Sequence, residues 1–318
     1  MSFLDNLPKP FFILAPMDDV TDTVFRQIIT DCARPDIFFT EFVNVDGLES
    51  PGRQRLMHKL MLSDKEKPVI AQLWGLRPNN FKKVAAEVKQ MGFSGIDLNI
   101  GCPVKTVIKN GACAALINNR ELAGQIIDAT REAVGEDFPV SVKTRVGFTT
   151  VDMTWPEFLL SKKLNMLSIH GRTAKQLSKV PADWELIGKV RQMRDVLCPS
   201  ALIVGNGDIK DRQHGLELAK SYDLDGVMVG RGIFEDPFLF SEDSRWEDRS
   251  PQQRIELFKS HISLYLQTYR DGQRKFEALR KFCKVYISGF DGASDLRIKF
   301  MGTTTPEDAL ALLEEATV

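Results

Sequence analysis

The run Asp97-Leu98-Asn99-Ile100-Gly101-Cys102-Pro103 places a thiol just beyond an apolar stretch, between a residue that frees the backbone and one that restricts it. A structural cysteine would more naturally lie inside the apolar run, as a small hydrophobe. A cysteine on a loop suits chemistry of two kinds. Held over a ring, its thiol can give a proton to carbon and be recharged from solvent, as reduction of a polarised double bond requires. Paired with a histidine base it would be a hydrolase nucleophile, and His170 is the candidate partner.

Polar or glycine residues close the other short apolar runs in the same way. In chain order they are Pro16-Met17-Asp18, Glu41, Gln72, Asn99 with Cys102, Lys143 with Arg145, His170 with Arg172, Asn206-Gly207-Asp208 and Gly230-Arg231. Each alone has a bland explanation as a strand cap, a core histidine or half of a buried ion pair. All eight run ends carrying such a signal are hard to explain as packing. Gly205-Asn206-Gly207-Asp208 and Gly230-Arg231-Gly232 follow the last two runs, where glycine lets backbone N–H groups approach a phosphate and Arg231 adds charge. Lys143 and His170 fit the edge of a flavin ring, stabilising its anionic reduced form. A Schiff-base lysine is the competing reading of Lys143, although no burial pattern in the sequence would depress its pKa.

The elements that must hold these residues alternate regularly. Apolar or β-branched runs at 11–15, 37–42, 69–73, 95–98, 140–144, 166–169, 201–204 and 226–229 are separated by helix-like segments such as 81–91, 121–134, 184–194 and 212–220. Eight βα units predict a (β/α)8 TIM barrel over residues 1–240, with a doubly wound sheet as the alternative. In a barrel the strand C-terminal ends build the active site, which is where the polar set falls. A charged stretch at 241–250 reads as a linker. Helices are expected at 251–269, 273–289, 293–301 and 306–315, so residues 251–318 form a small all-helical domain.

Composition narrows the class. With 43% hydrophobic and 27% charged residues in 318, disordered and fibrous proteins are excluded. Five cysteines, an odd number with no C-x-x-C pair, argue against a disulfide framework and against a zinc site. The apolar run near the start is too short for a signal segment or a membrane span, so a cytoplasmic protein is expected; a monomer without metal is the accompanying expectation. A net charge of −1 gives no general attraction for polyanions. Any nucleic-acid partner requires segregated basic residues.

The chain resembles the tRNA-dihydrouridine synthases. The resemblance is carried by Leu14-Ala15-Pro16-Met17, Thr40-Glu41-Phe42, Gln72-Leu73, the Asp97–Pro103 run, Val140–Arg145, His170-Gly171-Arg172-Thr173, Ala182-Asp183-Trp184, Gly205–Asp208 and Asp225–Gly232. It implies an FMN-bound barrel with a helical tRNA-binding domain, in which NADPH reduces FMN and a uridine of tRNA becomes 5,6-dihydrouridine. Hydride would come from flavin N5 and the proton from Cys102. By the same resemblance Pro16, Met17, Gln72, Lys143, His170, Asn206, Asp208, Gly230 and Arg231 hold FMN, and the strand-end set adds Asp18 and Gly207. Asn99 would contact the flipped-out uracil, assisted by Arg145 or Arg172.

The segregated basic residues lie in the helix expected over 273–288. Arg274, Arg280, Lys281 and Lys284 fall on an arc of about 120°, opposite Phe276, Leu279, Phe282, Cys283 and Tyr286. Given the resemblance, this face is expected to contact tRNA phosphates. Three departures from the family pattern stand out: Asp18-Asp19 where Glu-Gly is common, Cys113 where a glycine or another small residue is usual, and Glu235-Asp236 in place of Gly-Asn.

Overall fold

The computed structural model describes residues 2–270 and 273–316. The apolar runs form strands β1 (Phe11–Leu14), β2 (Ile37–Phe39), β3 (Val43–Asn44), β4 (Val69–Trp74), β5 (Gly95–Ile100), β6 (Val140–Arg145), β7 (Met166–His170), β8 (Leu202–Asn206) and β9 (Gly226–Val229). All neighbouring pairs are parallel. The order β2-β1-β9-β8-β7-β6-β5-β4, with β2 also paired to β4, closes an eight-stranded barrel. This is the expected TIM barrel.

One strand differs from its expected form. The run at 37–42 ends at Phe39, and the chain resumes extended structure at β3, which pairs only with β4. Thr40 causes part of the break, because its hydroxyl leaves the ladder to donate to the Glu41 carbonyl at 2.7 Å and to accept from the Gln72 N–H at 3.0 Å. Glu41 is thereby turned to the barrel mouth instead of continuing a strand.

Helices α1 (Thr23–Ala33), α2 (Val45–Leu48), α3 (Pro78–Gln90), α4 (Lys105–Lys109), α5 (Arg120–Val134), α6 (Thr154–Ser161), α7 (Trp184–Leu197) and α8 (Arg212–Ser221) lie along the barrel sequence. Their starts follow capping rules: Asp22, Asn119, Asp183 and Asp211 each accept a backbone N–H three residues on. Their apolar faces join strand residues such as Leu98, Val142 and Leu167 in one large cluster. A second cluster fills the barrel's lower interior with Phe11, Ile13, Ile37, Phe39, Ile70, Met166 and Leu202, and Leu4 from the preceding segment closes it. Burial of each such side chain contributes about 1.5–3 kcal/mol.

After the barrel come α9 (Pro251–Thr268), α10 (Glu277–Arg280), α11 (Cys283–Tyr286), α12 (Ala293–Gly302) and α13 (Pro306–Glu315). The expected single helix at 273–289 is instead two short ones. Its residues 276, 278, 279, 282, 283 and 285–287 are all buried, too many for one stripe of a straight helix to cover. The charged stretch before α9 also packs closely, with Trp246 stacked on Phe238 at 6.0 Å and meeting Tyr286 edge-on. Phe25 of α1 lies 4.6 Å from the Phe282 ring, joining barrel to helices. Among the described residues no helix is long and apolar enough to cross a membrane.

Candidate active site

Alternation along the strands sends every second side chain into the barrel, so inward positions above the apolar layer carry the polar set. An open cavity of about 670 Å³ lies at the ends of β1 and β6–β9. It brings together Pro16, Met17, Lys143, His170, Arg172, Asn206, Gly207, Asp208, Gly230 and Arg231, as the strand ends suggested. Gly232 of the suspected phosphate run and Glu235 of the Glu235-Asp236 departure also line it, together with Ala15, Ile209, Lys210 and Met228, to which the sequence assigned no role. Lys210 was legible in principle, two residues past Asp208 at the end of an already suspect run.

Positive charge dominates this cavity. Arg172 is 3% exposed; it pairs with Asp208, and its Nη1 lies 3.1 Å from His170 Nε2. Arg231, largely exposed, reaches the other Asp208 oxygen at 3.3 Å. Lys143 Nζ donates to Asn206 Oδ1 at 3.1 Å, and Asn206 donates to the Met228 carbonyl at 2.7 Å. Enclosure by protein, and then Arg145, bring Lys143 down to about 8, which supplies the burial the sequence did not reveal. Burial, reinforced by Arg145, Lys143, Arg172 and Arg231, holds His170 down at about 2, so its imidazole is neutral. Asp208 stands in the left-handed region at φ 54°, and the cavity places it between Arg172 and Arg231.

Backbone space at this end is reserved. Gly207 has φ +134°, and a Cβ there would meet Ala182 at 2.5 Å. At Gly230 a Cβ would find only Ala15, at 3.8 Å, and would otherwise project into open space. No side chain caps the short turn Arg231–Phe234 that follows.

Beside the cavity stands the Cys102 loop. Asn99 Oδ1 accepts from the N–H groups of Gly101 at 3.1 Å and Cys102 at 3.0 Å. Arg145, buried, donates from Nε to the Gly101 carbonyl at 2.8 Å and from Nη1 to the carbonyls of Thr173 and Leu177. A bond from the Ala114 N–H to the Cys102 carbonyl at 3.3 Å brings Cys113 alongside. Cys113 is buried with φ 51°. The Cys113 thiol beside it and the Val104 N–H outweigh burial to bring Cys102 down to about 7. The same contact, and burial, push Cys113 well up. The Cys113 departure therefore bears directly on the loop thiol.

A model of the Dihydrouridine synthase (Dus) family matches residues 13–318. The chain belongs to this family. It is 44% identical over 317 residues to a probable tRNA-dihydrouridine synthase of Staphylococcus aureus (strain COL), covering 99% of this chain and 95% of that protein. Probable tRNA-dihydrouridine synthase 2 of Bacillus subtilis (strain 168) is 41% identical, covering 99% and 96%. Among solved structures, a morphinone reductase in complex with tetrahydroNAD aligns at a TM-score of 0.51 and 13% identity over 74% of this chain and 87% of its own. A 2-naphthoyl-CoA reductase aligns at 0.56 and 13%, over 76% and 50%. These two share the barrel fold.

Gln72, expected to hold FMN, does not line the cavity and is fully buried between Asp97 and Asn99, and four further residues of this dihydrouridine synthase family member sit differently from expectation. Asp18 does not line the cavity: it pairs with Lys59. Arg145 and Arg172 are buried among backbone carbonyls and Asp208, so they brace the loop and the cavity wall. Arg274 is absent from the free basic face. It is 7% exposed and forms ion pairs with Asp22 at 3.0 Å and Glu41 at 2.8 Å. Lys281 and Lys284 are exposed, and with Arg280, Arg297, Ile298 and Met301 they line a groove of about 410 Å³ on the helical region.

Proposed function

We propose that this chain reduces specific uridines of tRNA to 5,6-dihydrouridine, with FMN as cofactor and NADPH as reductant. The observation that carries the reading is a loop thiol braced at two backbone positions beside a cavity whose cations outnumber its carboxylates. That donor set fits FMN. Arg231, Arg172, Lys210 and the open backbone at Gly230 suit its phosphate, while Lys143, neutral His170 and Asn206 suit the edge of its ring. Bound there, FMN supplies hydride transfer.

The chain's own residues do the remainder. Lys143 offers a cation where negative charge builds up on reduction, and its enclosure makes that charge count for more than it would in water. Cys102 gives its proton to the ring carbon next to the one that receives hydride. A thiol brought below its usual value parts with its proton more readily than a free cysteine, which suits a general acid. Arg145 and Asn99 hold the loop so that thiol and cavity face one another. Lys281, Lys284 and the groove beside them supply phosphate contacts for the folded RNA, whose target base must leave its stack to reach the cavity.

The test uses purified protein and an unmodified tRNA transcript. We expect a yellow protein that releases a monophosphorylated flavin on denaturation, is bleached by NADPH and is reoxidised anaerobically by the transcript as dihydrouridine accumulates. A colourless protein, or one reoxidised by oxygen alone with no dihydrouridine formed, would overturn the reading.

A further inference from the structure

Below the Cys102 loop lies a row of hydrogen bonds that all run one way. Asp97 is completely buried, and when ionised its carboxylate can only accept. Ser141 donates to one of its oxygens at 2.6 Å, and Gln72 Nε2 donates to the other at 2.7 Å. Gln72 is thereby oriented with Oε1 toward Asn99, whose Nδ2 donates to it at 3.0 Å. Asn99 then has its own oxygen free for the N–H groups of Gly101 and Cys102.

We propose that Asp97 is a positioning residue which, acting through the amides of Gln72 and Asn99, fixes the backbone at Cys102. The proposal rests on the reading of Cys102 as proton donor, although the row itself stands without it.

The argument is one of polarity. Each amide has one donating and one accepting end. Two amides between an acceptor-only carboxylate and a donor-only backbone N–H have a single arrangement in which every contact is satisfied. A neutral group at position 97 would admit both directions. In the reversed one, the Asn99 amide nitrogen would face the N–H groups of Gly101 and Cys102, donor against donor, in a buried site. Cost points the same way. Burial pushes Asp97 up to about 6, opposed by Ser141, Gln72 and the Lys143 cation, which is the charged group facing it. An apolar residue would fill the position at lower cost, so packing alone does not account for a carboxylate there.

The row predicts mutual suppression between two substitutions. Amide hydrogen exchange at Gly101 and Cys102 is measured near pH 8 on flavin-loaded protein. In Asn99→Asp a carboxylate stands at each end of Gln72, whose amide nitrogen can turn toward only one of them, and the conflict should loosen the loop so that exchange quickens about tenfold or more. In the double variant Asp97→Asn/Asn99→Asp the row is satisfied in reverse. The amide at position 97 donates to Gln72, Gln72 donates to the carboxylate at position 99, and that carboxylate accepts the Cys102 N–H. Exchange should then return to within about threefold of the parent, as expected for a restored bond. A double variant that exchanges as fast as Asn99→Asp, or an Asn99→Asp protein that exchanges at the parent rate, overturns the proposal.

Turnover gives a second readout. Asp97→Asn should lower kcat about tenfold with KM for tRNA unchanged, and a raised KM at constant kcat would contradict it. Ser141→Ala removes one donor from the carboxylate, so the acid limb of kcat should move to higher pH. An unmoved limb also counts against the proposal. Should the parent form no dihydrouridine, the proposed function fails while the exchange result still decides the row.

Discussion

Two clusters of charge lie at the barrel mouth, one beside β1 and β2 and one at the ends of β6–β9, and they are balanced differently. On the β1–β2 side, Asp18, Asp19, Asp22 and Glu41 meet Lys59, Arg274 and Lys281 in a connected set of ion pairs, with the Asp18, Asp19 and Glu41 oxygens within 4.8 Å of one another. On the β6–β9 side, Lys143, Arg145, Arg172 and Arg231 surround His170, and the cavity offers them Asp208 and Glu235. Asp22 and Glu41 outweigh burial to raise Arg274, while burial, reinforced by the cations around it, depresses His170. Charges the chain neutralises itself hold the helices to the barrel. Charges it leaves in excess await an anion.

The largest effect tests the balanced side. Arg274→Ala strands Asp22 and Glu41 in the interior and should cost about 3–5 kcal/mol of stability, seen as a lower denaturation midpoint. A change within about 0.5 kcal/mol would mean the junction does not rely on this pair. On the other side, Lys143→Met should slow flavin reduction by NADPH about 100-fold, or about 2.7 kcal/mol. The same change should move the midpoint of the flavin-free protein by less than about 1 kcal/mol, because relief of repulsion from Arg145 offsets the lost Asn206 hydrogen bond and the lost cation facing Asp97. A large loss of stability would place Lys143 with Arg274 instead.

A third prediction follows from His170. Its folded value lies below its unfolded one, so its contribution to stability is complete above about pH 6.5 and is lost as pH falls below that. Buried His261, depressed to about 3, adds to the same slope. Between pH 6 and 5 the pair should cost up to about 1.4 kcal/mol each per pH unit, partly offset by Asp97, whose raised value acts in the opposite sense, and His170→Gln should reduce the measured slope by its own share in a pH series of midpoints. Adding FMN should raise the His170 value, followed by NMR of the imidazole, because a phosphate offsets the surrounding cations. The smallest effect belongs to Lys284. Lys284→Ala should reduce the slope of log affinity for tRNA against log salt by about 0.7–0.9, and an unchanged slope would remove the groove from the RNA path.

The sequence revealed the barrel and most of its cavity, because run ends in a parallel barrel converge on one face. Pro16, Met17, Lys143, His170, Asn206, Gly207, Asp208, Gly230 and Arg231 could be gathered without knowing a single distance. Arg274 could not be placed, since a helical wheel for 273–288 presumes the helix, and the buried positions there break it. Asp97 stood in the open, two residues before Asn99 and so on the same inward face, but its role depends on Gln72 and Ser141 from neighbouring strands. Such registers are set by closure of the barrel. The ion-paired fate of Asp18 was equally hidden, because Lys59 approaches from a loop 41 residues away.

The most direct test of the account is Cys102→Ala followed by anaerobic stopped flow. NADPH should reduce the bound flavin within about twofold of the parent rate, whereas reoxidation by tRNA should slow by about 10²- to 10⁴-fold, the range for loss of a general acid. Reoxidation at the parent rate, or loss of flavin from the variant, would contradict the assignment of Cys102 as the proton donor.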